Sequence, residues 1–336
     1  MQRMTPLGRL IVILLILGAV FAGLKFSGLL DKLGSKKDTT ETTTEDSKTD
    51  DSKKTEDTEK ETKTETNASS SFSYTPPAPS GGKMKGVVEL GASGFNSFIV
   101  TIDAQKNWKL EKADYGHSLV KEGMASEDDI RVGLKNYISD MLNYGVGGND
   151  IHFVVSSGAV KEEVTAKIIN VLKGMKYYVN TVTPEQEGIL ALKCVLPKEY
   201  ENNAFVVDIG SGNTKITWKE SGKYTSLESY GSKYFQKGSD DKTVYDAVLA
   251  KAKQVPDAYR KTCFIIGGVP FNLAKQVRAG KERFTVLKPA DAYELSDKKD
   301  KSGANIYKAI SEGTGCQQFV FDFDSNFTIG FLLDLP

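Results

Sequence analysis

Two short stretches of this chain carry the same order of residue types. Val87-Val88-Glu89-Leu90-Gly91-Ala92-Ser93-Gly94-Phe95-Asn96 runs from apolar residues to a carboxylate and then to a turn of small residues. Val206-Val207-Asp208-Ile209-Gly210-Ser211-Gly212-Asn213-Thr214-Lys215 does the same roughly 120 residues later. Alternating residues resume after each turn, in Ser97-Phe98-Ile99-Val100 and in Ile216-Thr217-Trp218. The pattern reads as strand, tight turn, strand, with the acid at the turn. Small residues let backbone N–H groups approach an anion closely, and a neighbouring carboxylate can hold a cation or a water. Gly91, Ala92, Ser93 and Gly94 are therefore candidate anion binders, as are Gly210, Ser211, Gly212 and Asn213. Glu89 and Asp208 are candidate ligands of a divalent cation, Mg²⁺ or Mn²⁺. Any one of these glycines can equally serve turn geometry alone. Two such turns point to two lobes facing each other across a phosphate.

The elements that must position these turns alternate in type. Strands are expected near Lys85–Leu90, Asn96–Ile102, Trp108–Ala113, Ile151–Ser156, Tyr178–Thr181, Ala204–Ile209, Lys215–Lys219 and Thr262–Ile266. Helices are expected near Ser126–Leu142, Glu162–Met175, Pro184–Cys194, Thr243–Lys253 and Pro270–Arg278. Ser126 followed by Glu127-Asp128-Asp129 is a cap with acids on the positive end of the helix dipole. Pro184 suits a first helical turn. The alternation predicts an α/β fold with mixed sheets. Near the carboxyl terminus, Gln317–Phe323 and Phe327–Leu333 read as two more strands.

The chain has 336 residues, 44 basic and 44 acidic, with zero formal net charge. That balance gives no support for binding a nucleic acid duplex. Only His117 and His152 occur, which argues against a histidine zinc site or a Ser-His-Asp triad. Cys194, Cys263 and Cys316 lack metal-ligand spacing and read as buried thiols.

Leu10 to Leu24 is an unbroken apolar and glycine run, and Phe26-Ser27-Gly28-Leu29-Leu30 extends it past Lys25. Residues 10–30 are expected to form a membrane-spanning anchor after a short tail at 1–9. A cleaved signal peptide is the competing reading, since Arg3 and Arg9 precede the run and Val20-Phe21-Ala22 could be a cleavage site. Lys25, Lys32, Lys36 and Lys37 lean the downstream side toward the cytoplasm. Residues 31–82, rich in Thr, Ser, Glu, Lys and Pro, are expected to be a disordered tether with a reach of roughly 40 Å. Two lobes, 83–197 and 198–336, would follow.

In their order, these motifs resemble the exopolyphosphatase and guanosine pentaphosphate phosphohydrolase (Ppx/GppA) family, a branch of the actin, sugar kinase and Hsp70 superfamily. The resemblance spans Met84 to Arg278. It rests on Glu89-Leu90-Gly91-Ala92-Ser93-Gly94-Phe95-Asn96, on Lys121–Asp129, and on Val154-Val155-Ser156-Ser157-Gly158. It continues in Val182-Thr183-Pro184-Glu185-Gln186-Glu187-Gly188, in Val207–Thr214, and in Ile265-Ile266-Gly267-Gly268-Val269-Pro270. It implies a two-lobed, actin-like (ribonuclease H-like) fold with a cleft that binds polyphosphate or a phosphorylated nucleotide. It also implies that Gly267 and Gly268 contact phosphate, and that a divalent cation bridges to Glu89 and Asp208. Glu187 would orient or deprotonate the attacking water. Without the resemblance, Glu187 reads as a surface acid on a helix dipole.

The chain departs from the family pattern in four places. Glu89 replaces an aspartate, and Asn96 stands where a basic residue is usual. Val160 or Lys161 stands where an arginine is usual, and Lys215 replaces a glutamate. Lys215 can contact phosphate directly or repel a cation. Three readings follow: a membrane-tethered phosphohydrolase, a non-catalytic phosphate-ligand sensor or envelope scaffold, and an actin-like assembly ATPase. A homodimer or a membrane protein complex is compatible with each.

Overall fold

A computed structural model describes residues 72–91, 94–116 and 126–336. The expected membrane segment, most of the expected tether, the turn residues Ala92 and Ser93, and residues 117–125 lie outside the described residues. Among the described residues no helix is long and apolar enough to cross a membrane.

Both halves begin with an antiparallel meander and continue with parallel strands. In the first sheet, β1 (Lys83–Gly91), β2 (Gly94–Ile102) and β3 (Trp108–Tyr115) form the meander. The strands β4 (Ile151–Val155) and β5 (Val179–Thr181) add in parallel, giving the order β3-β2-β1-β4-β5. In the second sheet the meander is β6 (Ala204–Ile209), β7 (Asn213–Glu220) and β8 (Lys223–Tyr230). The strands β9 (Thr262–Ile266) and β11 (Phe319–Asp322) run parallel to β6, and β10 (Phe284–Val286) closes the order β10-β11-β9-β6-β7-β8.

The valine pairs show why each strand is apolar throughout. Side chains alternate faces along a strand, and here both faces are covered. Val87 and Val206 point into a core shared by the two sheets. Their neighbours Val88 and Val207 point outward to separate cores. The helices α1 (Glu127–Tyr144) and α2 (Glu163–Gly174) cover the outer face of the first sheet through Ile130, Leu134, Ile168 and Leu172. The outer face of the second sheet is covered by α4 (Asp241–Ala252), α5 (Gly268–Val277) and α6 (Lys298–Thr314). Between the sheets lie α3 (Pro184–Val195) and α7 (Phe327–Asp334).

Local signals start the helices. Ser126 caps α1, and its hydroxyl and the Asp129 carboxylate each accept a backbone N–H in a capping box. Thr183 and Gln186 form a second capping box at α3, behind Pro184.

Three expectations are corrected. Phe327–Leu333 is helical rather than a strand. A short, continuous apolar run suits either element when every side is buried. Here Phe327, Ile329 and Leu332 are wrapped by both sheets and α3, and Asn326 caps the helix by accepting the Thr328 N–H at 2.9 Å. Gly330 lets α7 lie against the Leu190 carbonyl, where an added Cβ would overlap it. Second, the packed chain begins upstream of Lys83. The Phe72 ring meets Tyr200, Phe264 and Phe284 at 5.4–5.7 Å, and the Ser80 N–H donates to Asp103 Oδ2 at 3.0 Å. The two aromatic residues Phe72 and Tyr74 give this end of the tether apolar area to bury. Third, β8 and α6 form where no element is expected; the charged start of α6 and its Gly303 mask a face that buries Ile306, Tyr307 and Ile310.

Candidate functional site

The chain reverses at matching places in the two sheets. In the first hairpin Glu89 pairs across the strands with Asn96, and in the second Asp208 pairs with Lys215. Both hairpins open onto one cleft of about 350 Å³ between the sheets. Glu89, Gly91, Gly94, Glu187, Asp208, Gly210, Ser211, Gly212, Asn213, Lys215, Gly267 and Gly268 all line it. Of the residues singled out from the sequence, only Ala92 and Ser93 cannot be placed. Val160 and Lys161 are exposed and contribute nothing to this lining.

Glu187 is 3% exposed, so it is not a surface acid. It sits in the first turn of α3, which the Thr183 cap and Pro184 aim into the cleft floor. Its Oε1 accepts from Lys215 Nζ, and its Oε2 accepts from the Ser157 backbone N–H at 2.7 Å and hydroxyl at 2.5 Å. Asn213 Nδ2 donates to the Ser157 hydroxyl at 2.9 Å and to Glu228 Oε1 at 2.7 Å. This chain of donors ties the end of β4 in one sheet to β7 and β8 in the other. Gly158 and Gly212 meet beside it, where a Cβ on Gly212 would lie 2.8 Å from the Gly158 Cα.

Lys215 is 1% exposed and also stands 3.7 Å from Asp208 Oδ2. Burial alone would lower its pKa, but the Asp208 and Glu187 carboxylates outweigh that and hold the ammonium above its ordinary range. Asp208 is itself pushed up to about 6, first by burial, with Lys215 pulling down and Glu187 pushing up. Glu89 is pushed up to about 7 by burial, against the Asn96 hydrogen bond and with the Glu187 charge adding to it. Its Oε2 accepts from Asn96 Nδ2 at 2.9 Å and from Asn326 Nδ2 at 3.0 Å.

Three carboxylates thus share one ammonium. Glu187 takes that ammonium directly. Asp208 has it only beyond hydrogen-bonding distance, and Glu89 has neutral amides. Among the described residues no group of three or more His, Cys, Asp or Glu side chains could hold a metal. The donor set is two under-compensated carboxylates facing open volume. That fits Mg²⁺, which keeps most of its waters and needs one or two carboxylates plus substrate oxygens, and does not fit a closed protein cage.

The sequence reading missed four contributors. Asn326 both caps α7 and holds Glu89; its signal is an Asn before an apolar run, visible only once that run is taken as a helix. Ser157 lay within a recognised motif with no role attached. Phe271 and Tyr115 stack at 5.7 Å where β3 of the first sheet meets α5 of the second. Lys299 lines the cleft from α6, an element that was not expected. Elsewhere Cys194, Cys263 and Cys316 are free and buried, and His152 packs by Phe331 at 6.0 Å.

No protein-family model and no curated protein matches the sequence. Solved structures do. The Ppx/GppA family member of Aquifex aeolicus superposes with a TM-score of 0.55 at 17% identity, covering 75% of this chain and 96% of that one. An exopolyphosphatase from Cytophaga hutchinsonii gives 0.60 at 13% identity, covering 75% and 98%. The chain has the Ppx/GppA fold. An exopolyphosphatase-like protein aligns in the same way, at 0.55 and 13% identity over 75% and 97%. The described residues therefore take up nearly the whole of these proteins, and the glycine hairpins fall on either side of the cleft of this actin-like fold.

Proposed function

We propose that the cleft binds an anion with several phosphoryl groups, either linear polyphosphate or a nucleotide polyphosphate, and hydrolyses its terminal anhydride bond. The observation that carries this reading is the meeting of both glycine hairpins, the Gly267–Gly268 turn and three carboxylates on one cavity. Phosphoryl transfer needs mainly positioning and charge neutralisation, which backbone N–H groups, a cation and one base can supply. Glu89 and Asp208 would hold Mg²⁺ or Mn²⁺, which when bound would neutralise phosphate oxygens. Glu187, fixed by Ser157 and Lys215, would orient the attacking water from the cleft floor. Anchoring of this domain to a membrane by residues 10–30, facing the cytoplasm, belongs to the same proposal; protease protection in sealed membranes would test it.

The second reading, a phosphate-ligand sensor without turnover, is favoured by one contact. Lys215 occupies Glu187 Oε1, so the expected base begins as half of a buried ion pair.

One experiment separates the two. Phosphate release by the full-length protein would be measured with Mg²⁺ on long-chain polyphosphate, guanosine pentaphosphate and ATP, with Glu187→Gln as control. Release that falls by about 10²-fold or more in a folded Glu187→Gln protein supports the hydrolase. Thermal stabilisation by these ligands without release supports the sensor. Neither release nor stabilisation would overturn phosphoanion binding in this cleft.

A further inference from the structure

The cleft contains two lysines in opposite electrostatic situations. Lys215 is enclosed by carboxylates. Lys299 lines the same cleft in the first turn of α6 but has no ion pair among the described residues. The acids on either side of it in the chain are engaged elsewhere. Asp297 Oδ1 caps α6, accepting the Lys299 and Asp300 backbone N–H groups at 2.8 and 3.1 Å. Both Asp300 oxygens accept from Asn272 Nδ2, at 2.9 and 3.2 Å. The next lysine, Lys298, lies over the Phe235 ring.

Lys299 is placed at the second glycine pair. Its Nζ lies 3.5 Å from where a Cβ on Gly268 would be, so the bare glycine leaves the ammonium room beside the turn. Gly267 has a φ of +112°, open to glycine at little cost, and any Cβ there would strike the Ile209 carbonyl. The turn is thus pinned against the end of β6, next to Asp208 and Gly210. Burial lowers the Lys299 pKa, and the Lys233 ammonium lowers it further. Two cations are held near each other, partly out of water, with no described carboxylate paired to Lys299. Such a pair is costly unless an anion joins it.

We infer that Lys299, with Lys233 beside it, is a ligand-binding residue that holds a second phosphoryl group of the ligand at the Gly267–Gly268 turn. This rests on the proposal that the cleft takes a phosphoanion, and it adds a length requirement. A single phosphate can satisfy one end of the cleft, whereas a chain of phosphoryl groups reaches the Lys299 end as well.

The test is calorimetric binding of orthophosphate and tripolyphosphate to the full-length parent, Lys299→Ala and Lys233→Ala. The expected result is a loss of roughly tenfold or more in tripolyphosphate affinity for Lys299→Ala, the worth of one charge-assisted hydrogen bond. Orthophosphate affinity should stay within about twofold, and Lys233→Ala should show a smaller loss of the same kind. Without ligand, Lys299→Ala should melt at the parent temperature or above it, because a repulsion has been removed. Equal tripolyphosphate affinity in parent and Lys299→Ala would overturn the inference while leaving the cleft's phosphoanion binding intact. An equal loss for both ligands would overturn it too, as would a lower melting temperature without ligand, which would reveal a structural partner. A parent that binds neither anion would overturn phosphoanion binding itself and the inference with it.

Discussion

The two glycine hairpins share one plan and differ in the partner opposite the acid. Glu89 faces Asn96 and Asp208 faces Lys215, at equivalent cross-strand positions. In the first hairpin the carboxyl has only neutral amides, from Asn96 and Asn326, and it settles by holding its proton up to about 7. In the second an ammonium is present but shared with Glu187, and Asp208 rises to about 6. One half of the cleft is charge-compensated by the protein itself. The other half is left for a proton, or for a cation that arrives with the ligand. A repeated scaffold therefore sets where the acids sit, and the residue opposite each sets its charge.

The largest test of this difference is to remove each partner. Lys215→Ala leaves Glu187 and Asp208 buried without their cation and should cost about 3–5 kcal/mol in urea unfolding at pH 7.5. Asn96→Ala removes one neutral donor and should cost about 1 kcal/mol. Similar losses for the two variants would mean that charge compensation does not distinguish the hairpins.

A smaller effect should appear in the pH dependence. The folded-state pKa of Glu89 lies above its value in the unfolded chain. The stability linked to it is full below about 4.5 and is lost as pH rises through about 7. Glu89→Gln does not titrate. Relative to the parent it should therefore gain roughly 2–3 kcal/mol between pH 5 and pH 8. Asp208, whose own loss runs from about 3.8 to about 6, titrates in both proteins and cancels from the comparison. Parallel stability curves would show that Glu89 carries no such proton.

The smallest contrast concerns the turns. A Cβ on Gly212 meets the Gly158 backbone at 2.8 Å, so Gly212→Ala must separate the two turns and should cost about 1–3 kcal/mol. A Cβ on Gly91 meets Glu89 Oε1 and the Gly94 carbonyl at 3.1 Å, and Gly91→Ala should stay within about 1 kcal/mol. Equal costs would mean that the approach of Gly158 to Gly212 is not a close-packed contact.

What could be read in advance follows from the range of the forces. The hairpins, the Ser126 and Thr183 caps and the alternating elements rest on neighbours within a few residues, and each forms close to its expected place. The apolar run at Phe327 misled because periodicity vanishes when every face is buried. Glu187 read by itself as a surface acid because nothing nearby in sequence reveals that α3 lies between two sheets.

By itself, the sequence determined where the chain turns and which side chains stand at those turns. Backbone hydrogen bonding, capping and the two-residue period of a strand are settled locally. The tertiary structure alone decided the charge state of the cleft. Lys215 meets Glu187, Asn326 meets Glu89 and Lys299 meets the Gly268 turn only after the sheets have closed on α3 and α7. Burial then makes each meeting count, because a carboxylate or ammonium withdrawn from water is governed by whichever partner the fold has placed beside it.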